Sequence, residues 1–264
     1  DFKDQSDVAD VYWKIAKIYE DDGDFKRAGT LYSEFEKTYP KAPINRIMES
    51  RYNYLMALMQ EGKKREGDVK AQCEDMLKRV KAMKEDVKKD PVIMRANAHC
   101  SFMALEPRFA EFMALKLELP MSKLKKNLEA KAVKLDQLKN DYTAVLSIGD
   151  GAWGVAALYR VAVIHHDFAK ALKESPDPPG LNPDQLEIYR SELEGQTFPV
   201  DEKAIQALEA ALQKAFELGI YTEWTARNQD LLKEYKPNEF PPVHSMPFYY
   251  SDFFSAGAAA KGGK

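Results

Sequence analysis

The sequence predicts an all-α fold, on three observations. Almost no run of residues alternates β-branched with polar side chains in the manner of a half-buried strand. Apolar residues instead recur at steps of three and four, the period that gathers them on one helical face. One spacing also occurs twice, as Tyr12-x2-Ile15-Ala16-x2-Tyr19 and as Leu158-x2-Val161-Ala162-x2-His165, each framing a small residue with large ones. The 264 residues, 45% of them hydrophobic, suffice for one extended domain or two small ones.

The first helix is expected over 6–21 and the second over 25–38, joined by Asp22-Gly23-Asp24, where glycine is free to take the left-handed conformation that ends a helix. On the second helix Ala28-x3-Tyr32 repeats the small-then-aromatic pattern, and Pro40 and Pro43 close the unit before a third helix at 44–61. This first stretch resembles a tetratricopeptide repeat, at every signature position of one repeat. The resemblance implies a helical-hairpin solenoid, in which Ala16 and Ala28 mark the closest approach of two antiparallel helices. The third helix keeps the spacing in Tyr52-x2-Leu55-Met56-x2-Met59, but Asp68 stands where the next small residue belongs.

From Val69 the apolar positions run through Cys73, Met76, Val80, Met83 and Val87, a heptad seam on a long charged helix. Helices over 92–118 and 122–147 follow, the second with Leu124, Leu128, Leu135, Leu138, Tyr142 and Val145 at a similar step. These seams suit packing on the neighbouring helices of the same chain; docking of a partner helix, or assembly of a structural homo-oligomer, is the other use of such a surface. Met94, Met103, Met113 and Met121 lie among them and suit either an adaptable binding surface or a core. If the chain turns back at Pro91, Cys73 and Cys100 sit about 13 Å out of level, so two free, buried thiols are expected rather than a bridge.

The second unit opens at Leu158. A proline-rich insertion, Ser175 to Pro183, interrupts it, and a helix near 183–195 precedes Ala204-x3-Leu208-x2-Ala211, the spacing of a second repeat helix. A last helix, Thr222 to Tyr235, is expected to cover the exposed apolar side of the array. The organisation is therefore 1–65, N-terminal repeats; 66–148, long central hairpins; 149–236, C-terminal repeats with an insertion at 175–183; and 237–264, a tail. In the tail Pro237, Pro241, Pro242 and Pro247 preclude a continuous helix, and Phe248, Tyr249 and Tyr250 suggest an extended segment laid against a groove of this chain or of a partner.

Ala152 to Arg160, Pro178-Pro179-Gly180-Leu181, Glu202 to Ile205 and Leu218 to Thr225 together resemble repeat proteins of deltaproteobacteria, including envelope components associated with gliding motility. Asp24 to Ala28 with Tyr39-Pro40 resembles the repeats of outer-membrane assembly lipoproteins. The first implies a noncatalytic scaffold that binds envelope proteins as peptide or helix; the second agrees on the compartment, the periplasm or the inner face of the outer membrane, and not on the partner. The tetratricopeptide resemblance implies an inner groove lined by Trp13, Lys17 and Glu20 in the first unit and by Tyr159, Val163 and His166 in the second. Aromatic rings beside a cation suit an extended peptide there.

Other chemistries find little in the sequence. The 39 basic and 42 acidic residues leave a net charge of −3, which points to neither nucleic acid nor an anionic membrane. No window is apolar for the roughly 18 residues a membrane span needs, and Asp1 to Asp10 is unlike a signal peptide, so an export signal or lipid anchor is expected outside this stretch. Gly149-x-Gly151-x2-Gly154 has the letters of a dinucleotide fingerprint but follows an expected helix instead of a strand, and reads as a turn between repeats. Adjacent His165 and His166 point about 100° apart on a helix and have no ligand partner at three or four residues, so no metal site is expected; His165 should pack inside and His166 face the groove. No nucleophile motif or isolated carboxylate pair supports catalysis, and no cofactor is expected.

Overall fold

A computed structural model describes residues 6–240, and among them every regular element is helical. The helices are α1 (Ser6–Asp21), α2 (Phe25–Thr38), α3 (Ile44–Gln60), α4 (Glu66–Ala82), the single turn α5 (Glu85–Lys88), α6 (Pro91–Ala114), α7 (Met121–Ser147), α8 (Gly151–Lys173), α9 (Pro183–Leu218) and α10 (Glu223–Tyr235). Most of the expected tail, residues 241–264, lies outside the described residues.

Local chemistry accounts for the helix starts. Asp24, Asp90, Asp150 and Asn182 each accept a hydrogen bond from a backbone N–H of the first turn, and Asn182 closes a reciprocal capping box with Gln185. Gly219, with φ +63°, ends α9 in the left-handed conformation that a Cβ would strain.

The core is a succession of clusters, each shared by helices near one another in sequence. Ala16, Ala28 and Tyr32 join α1 to α2. Leu55, Leu58, Met76, Val80 and Ile93 join α3, α4 and α6. Phe102, Phe112, Leu138, Tyr142 and Ile164 join α6, α7 and α8. Leu208, Leu212 and Leu232 tie α9 and α10 to Ala162 of α8. The α8–α9 contact is lined by small side chains, among them Ala162, Ala207, Ala211 and Ala215. A Cβ on Gly154 would lie 3.1 Å from Lys214 Cε and 3.2 Å from Leu146 Cδ1, so glycine sets this close approach. The fingerprint letters are used in packing: Gly149 (φ +97°) turns the chain after α7, and a Cβ on Gly151 would meet Ile220 at 2.6 Å.

Polar groups reinforce two of these junctions. Arg51 and Arg79 each pair with both Glu36 and Asp75, a four-membered ring of alternating charge across α2, α3 and α4. Partial burial pushes the Glu36 carboxyl up, but hydrogen bonds and charge from Arg51 and Arg79 outweigh it and hold it below the ordinary value. Lys131 of α7 is only 1% exposed. Its Nζ donates to the carbonyls of Phe112 and Leu115 at 3.0 Å, pairs with Asp167 of α8 at 2.7 Å, and lies 4.2 Å from the Phe112 ring centroid. A lysine at that depth is tolerated because every part of its charge is answered.

Several expectations need correction. Helix α6 ends at Ala114 rather than near 118, because Lys131 takes the carbonyls that a further turn would use. The seam from Val69 to Val87 is not one helix: α4 stops at Ala82, Met83 and Lys84 are extended, and Met83 and Val87 reach the core from the α4–α6 connection. That connection therefore spans 83–90. It leaves Cys73 nine residues before the end of α4 and Cys100 nine residues after the start of α6, so the thiols are level and adjacent, not about 13 Å apart. Both are free and buried. Finally, α9 is one continuous helix through Pro199, where two were expected; Thr197 is buried on one side of the proline and Ala204 on the other, so packing holds the helix across the missing hydrogen bond.

Candidate interaction surface

The six residues expected to line a groove fall into two sets that the fold does not bring together. Trp13, Lys17 and Glu20 lie on α1, which packs on α2; Tyr159, Val163 and His166 lie on α8, which packs on α6, α7, α9 and α10. Trp13 is half-buried, edge-on to Tyr32 and Phe35 at 5.4 and 5.5 Å between ring centres, with the Arg46 guanidinium 4.3 Å above its ring. Lys17 is exposed and donates to Glu20 at 2.8 Å, and the other Glu20 oxygen accepts from the Tyr32 hydroxyl at 2.7 Å. Burial, then this carboxylate, push the Tyr32 phenol well above its ordinary value, so it stays a donor. The arrangement supports the first hairpin as much as it offers a surface.

In the second unit the corresponding face is occupied by α10. Tyr159 tilts against Trp224 at 5.8 Å, and the His166 ring is edge-on to Tyr235 with Nδ1 2.8 Å from its hydroxyl. The Tyr235 hydroxyl donates in turn to Asp201 of α9 at 3.0 Å. Val163 is half-buried. His166 therefore faces the chain's own last helix. His165 does pack inside: its Nδ1 donates to the Val161 carbonyl at 2.7 Å, and burial pulls its pKa below the ordinary value. His99 of α6 stacks on Trp153 with ring centres 3.9 Å apart and is hydrogen-bonded to the Tyr52 hydroxyl at 3.2 Å; burial lowers it to about 4.

The seams of the central helices are likewise used within the chain. Val69, Cys73, Met76 and Val80 face α3 and α6, and Leu138, Tyr142 and Val145 face α6 and α8. A homo-oligomer built on those seams has little apolar surface left there. Among the described residues no group of three His, Cys, Asp or Glu side chains is placed to hold a metal ion, and no helix is long and apolar enough to cross a membrane.

A different surface stands out. Val11, Ile15 and Ile18 are 54%, 42% and 62% exposed and form a 4–3 stripe on the side of α1 opposite Ala16. Ile15 belongs to the repeated spacing and was expected to pack against helix. Its counterpart Val161 is partly buried between two core clusters. The signal was already present in sequence: α1 has apolar residues on both faces, and its own hairpin partner covers only one. A groove of about 590 Å³ between α4 and α6 is walled in part by Val69, Cys73, Leu77, Cys100, Met103 and Pro107.

No family model, curated protein or solved structure matches the chain.

Proposed function

We propose that the protein is a noncatalytic, tetratricopeptide-like scaffold that joins protein partners in a bacterial envelope complex, with gliding-motility assemblies as the setting that the resemblance names. The periplasm or the inner face of the outer membrane is the compartment that accompanies this reading. The observation that carries it is the stripe of Val11, Ile15 and Ile18 on the outer side of α1. In a stack of hairpins that side is where another helix would lie, as α7 lies against α8 in the second unit. The fitting partner is the apolar face of an amphipathic helix, added to the stack as one more layer.

Crosslinked pull-downs from envelope fractions test this with three baits of equal helicity: the native chain, an Ile15→Glu/Ile18→Glu variant and a Trp13→Ala/Tyr159→Ala variant. Loss of a specific protein with the first variant alone supports docking on the outer face of α1. Loss with the second alone moves the interface to the inner positions. Identical recoveries from all three baits overturn the scaffold reading at both surfaces. A mass that rises with concentration, and ceases to do so in Ile15→Glu/Ile18→Glu, identifies a second copy of the chain as the occupant.

A further inference from the structure

We infer that Cys73 and Cys100 are an oxidative modification site, at which a small disulfide oxidant entering the α4–α6 groove converts the two thiols into an intrachain cross-link. The inference stands on placement and is independent of the scaffold reading. The residues come from different helices, at matched depth on either side of the 83–90 connection, and belong to one buried cluster. Both line the same groove, whose walls are mostly apolar with Glu66, Lys70, Glu74 and Glu106 among them, and whose volume, about 590 Å³, admits a small aromatic reagent. Cys73 retains 6% of its surface and Cys100 none, so the groove reaches Cys73 first.

The Cys73 thiolate attacks one sulfur of the oxidant, the oxidant's S–S bond breaks, and half of it leaves as a thiolate that takes up a proton. Cys100 then gives up its proton and attacks the Cys73 sulfur, the mixed disulfide breaks, and the second half leaves. Two electrons and two protons pass from the protein to the oxidant, which ends as two thiols. The hydrogen bond that the Cys100 S–H donates to the Cys73 sulfur, then burial, push the Cys100 thiol far above its ordinary value. Burial of Cys100 persists once Cys73 is capped, so the second step accelerates as pH rises.

The probe is dithiodipyridine added to the native chain, followed by intact mass, released thiopyridone and peptide mapping. Expected are release of two thiopyridones per chain, a mass lower by two hydrogens with no adduct, and a single Cys73–Cys100 peptide. The thermal midpoint should rise by roughly 5 °C, from closing the loop between the two residues. Cys100→Ser should stop at a stable adduct on Cys73, while Cys73→Ser should react far more slowly. A persistent adduct on the native chain, a cross-link between two chains, or thiols that react only after denaturation would each overturn the inference. The peptide map of the native chain decides the matter even if a variant fails to fold.

Discussion

The two units that share one spacing are placed differently, and the difference separates what a sequence pattern dictates from what its neighbours supply. In both, the small residue is buried: Ala16 against α2, Ala162 against α9. The aliphatic residue one position earlier diverges. Ile15 is exposed, whereas Val161 is packed between two clusters. Within a hairpin the pattern specifies contact with its own partner, and the fate of the opposite face depends on whether another helix arrives. The inner positions diverge too: Trp13 is held by its own hairpin and Arg46, and Tyr159 and His166 lie beneath α10.

The largest way to sharpen this contrast is Lys131→Met, which leaves Asp167 without its cation and frees the carbonyls at the end of α6. A loss of about 3 kcal/mol is expected in urea unfolding, with hydrogen-exchange protection lost first around α6–α8 and least in α1–α2. A comparable effect should come from acid. The unfolded chain protonates His99 near its ordinary 6.5 and the folded chain only near 4. Stability is thus complete above pH 6.5 and is lost as pH falls toward 4, by up to roughly 3 kcal/mol. The first unit contains no histidine, so this sensitivity belongs to the interior, and His99→Gln should flatten the dependence of the thermal midpoint over that range.

Smaller effects test the small positions themselves. Ala162→Leu should cost about 1–3 kcal/mol, because α8 and α9 approach through alanine and glycine, and Ala16→Leu should cost less because α1 can shift outward. Equal losses would mean that α1 is held as firmly as α8. The smallest change is Ile15→Ala, expected to alter stability by less than about 0.5 kcal/mol, against about 1 kcal/mol for Val161→Ala. A large loss at Ile15 in the isolated chain would show that its stripe is already covered.

Much of the helix plan was legible because the signals are local. Asp24, Asp90 and Asn182 cap helices at or near the expected starts, and Ala16, Ala28, Ala162 and Ala204 are buried where the spacing calls for small residues; α8, by contrast, starts at Gly151, inside the stretch read as a turn. What escaped depends on partners distant in sequence. Nothing near Ala114 signals that Lys131 will end α6, and no glycine or proline marks the break after Ala82 that brings the two thiols level. Of the candidate site, the sequence identified residues on the correct helices, but it had no means to show that α10 would cover Tyr159 and His166. The exposed stripe could have been found by asking which face of α1 has no partner among the described helices.

The length of α9 has a consequence of its own. Its 36 residues extend about 54 Å, yet no side chain before Thr197 is fully buried. An isolated helix of four turns is marginal in water because its first turn is costly to form. Here the buried half serves as the seed, and the outer turns need only be propagated from it, with Asn182 and Gln185 securing the far end. Gly195 and Pro199 interrupt that growth, one by its flexibility and the other by a missing hydrogen bond. The outer portion is consequently the place where amide exchange should outpace the rest of the helix, with a step in protection at that joint.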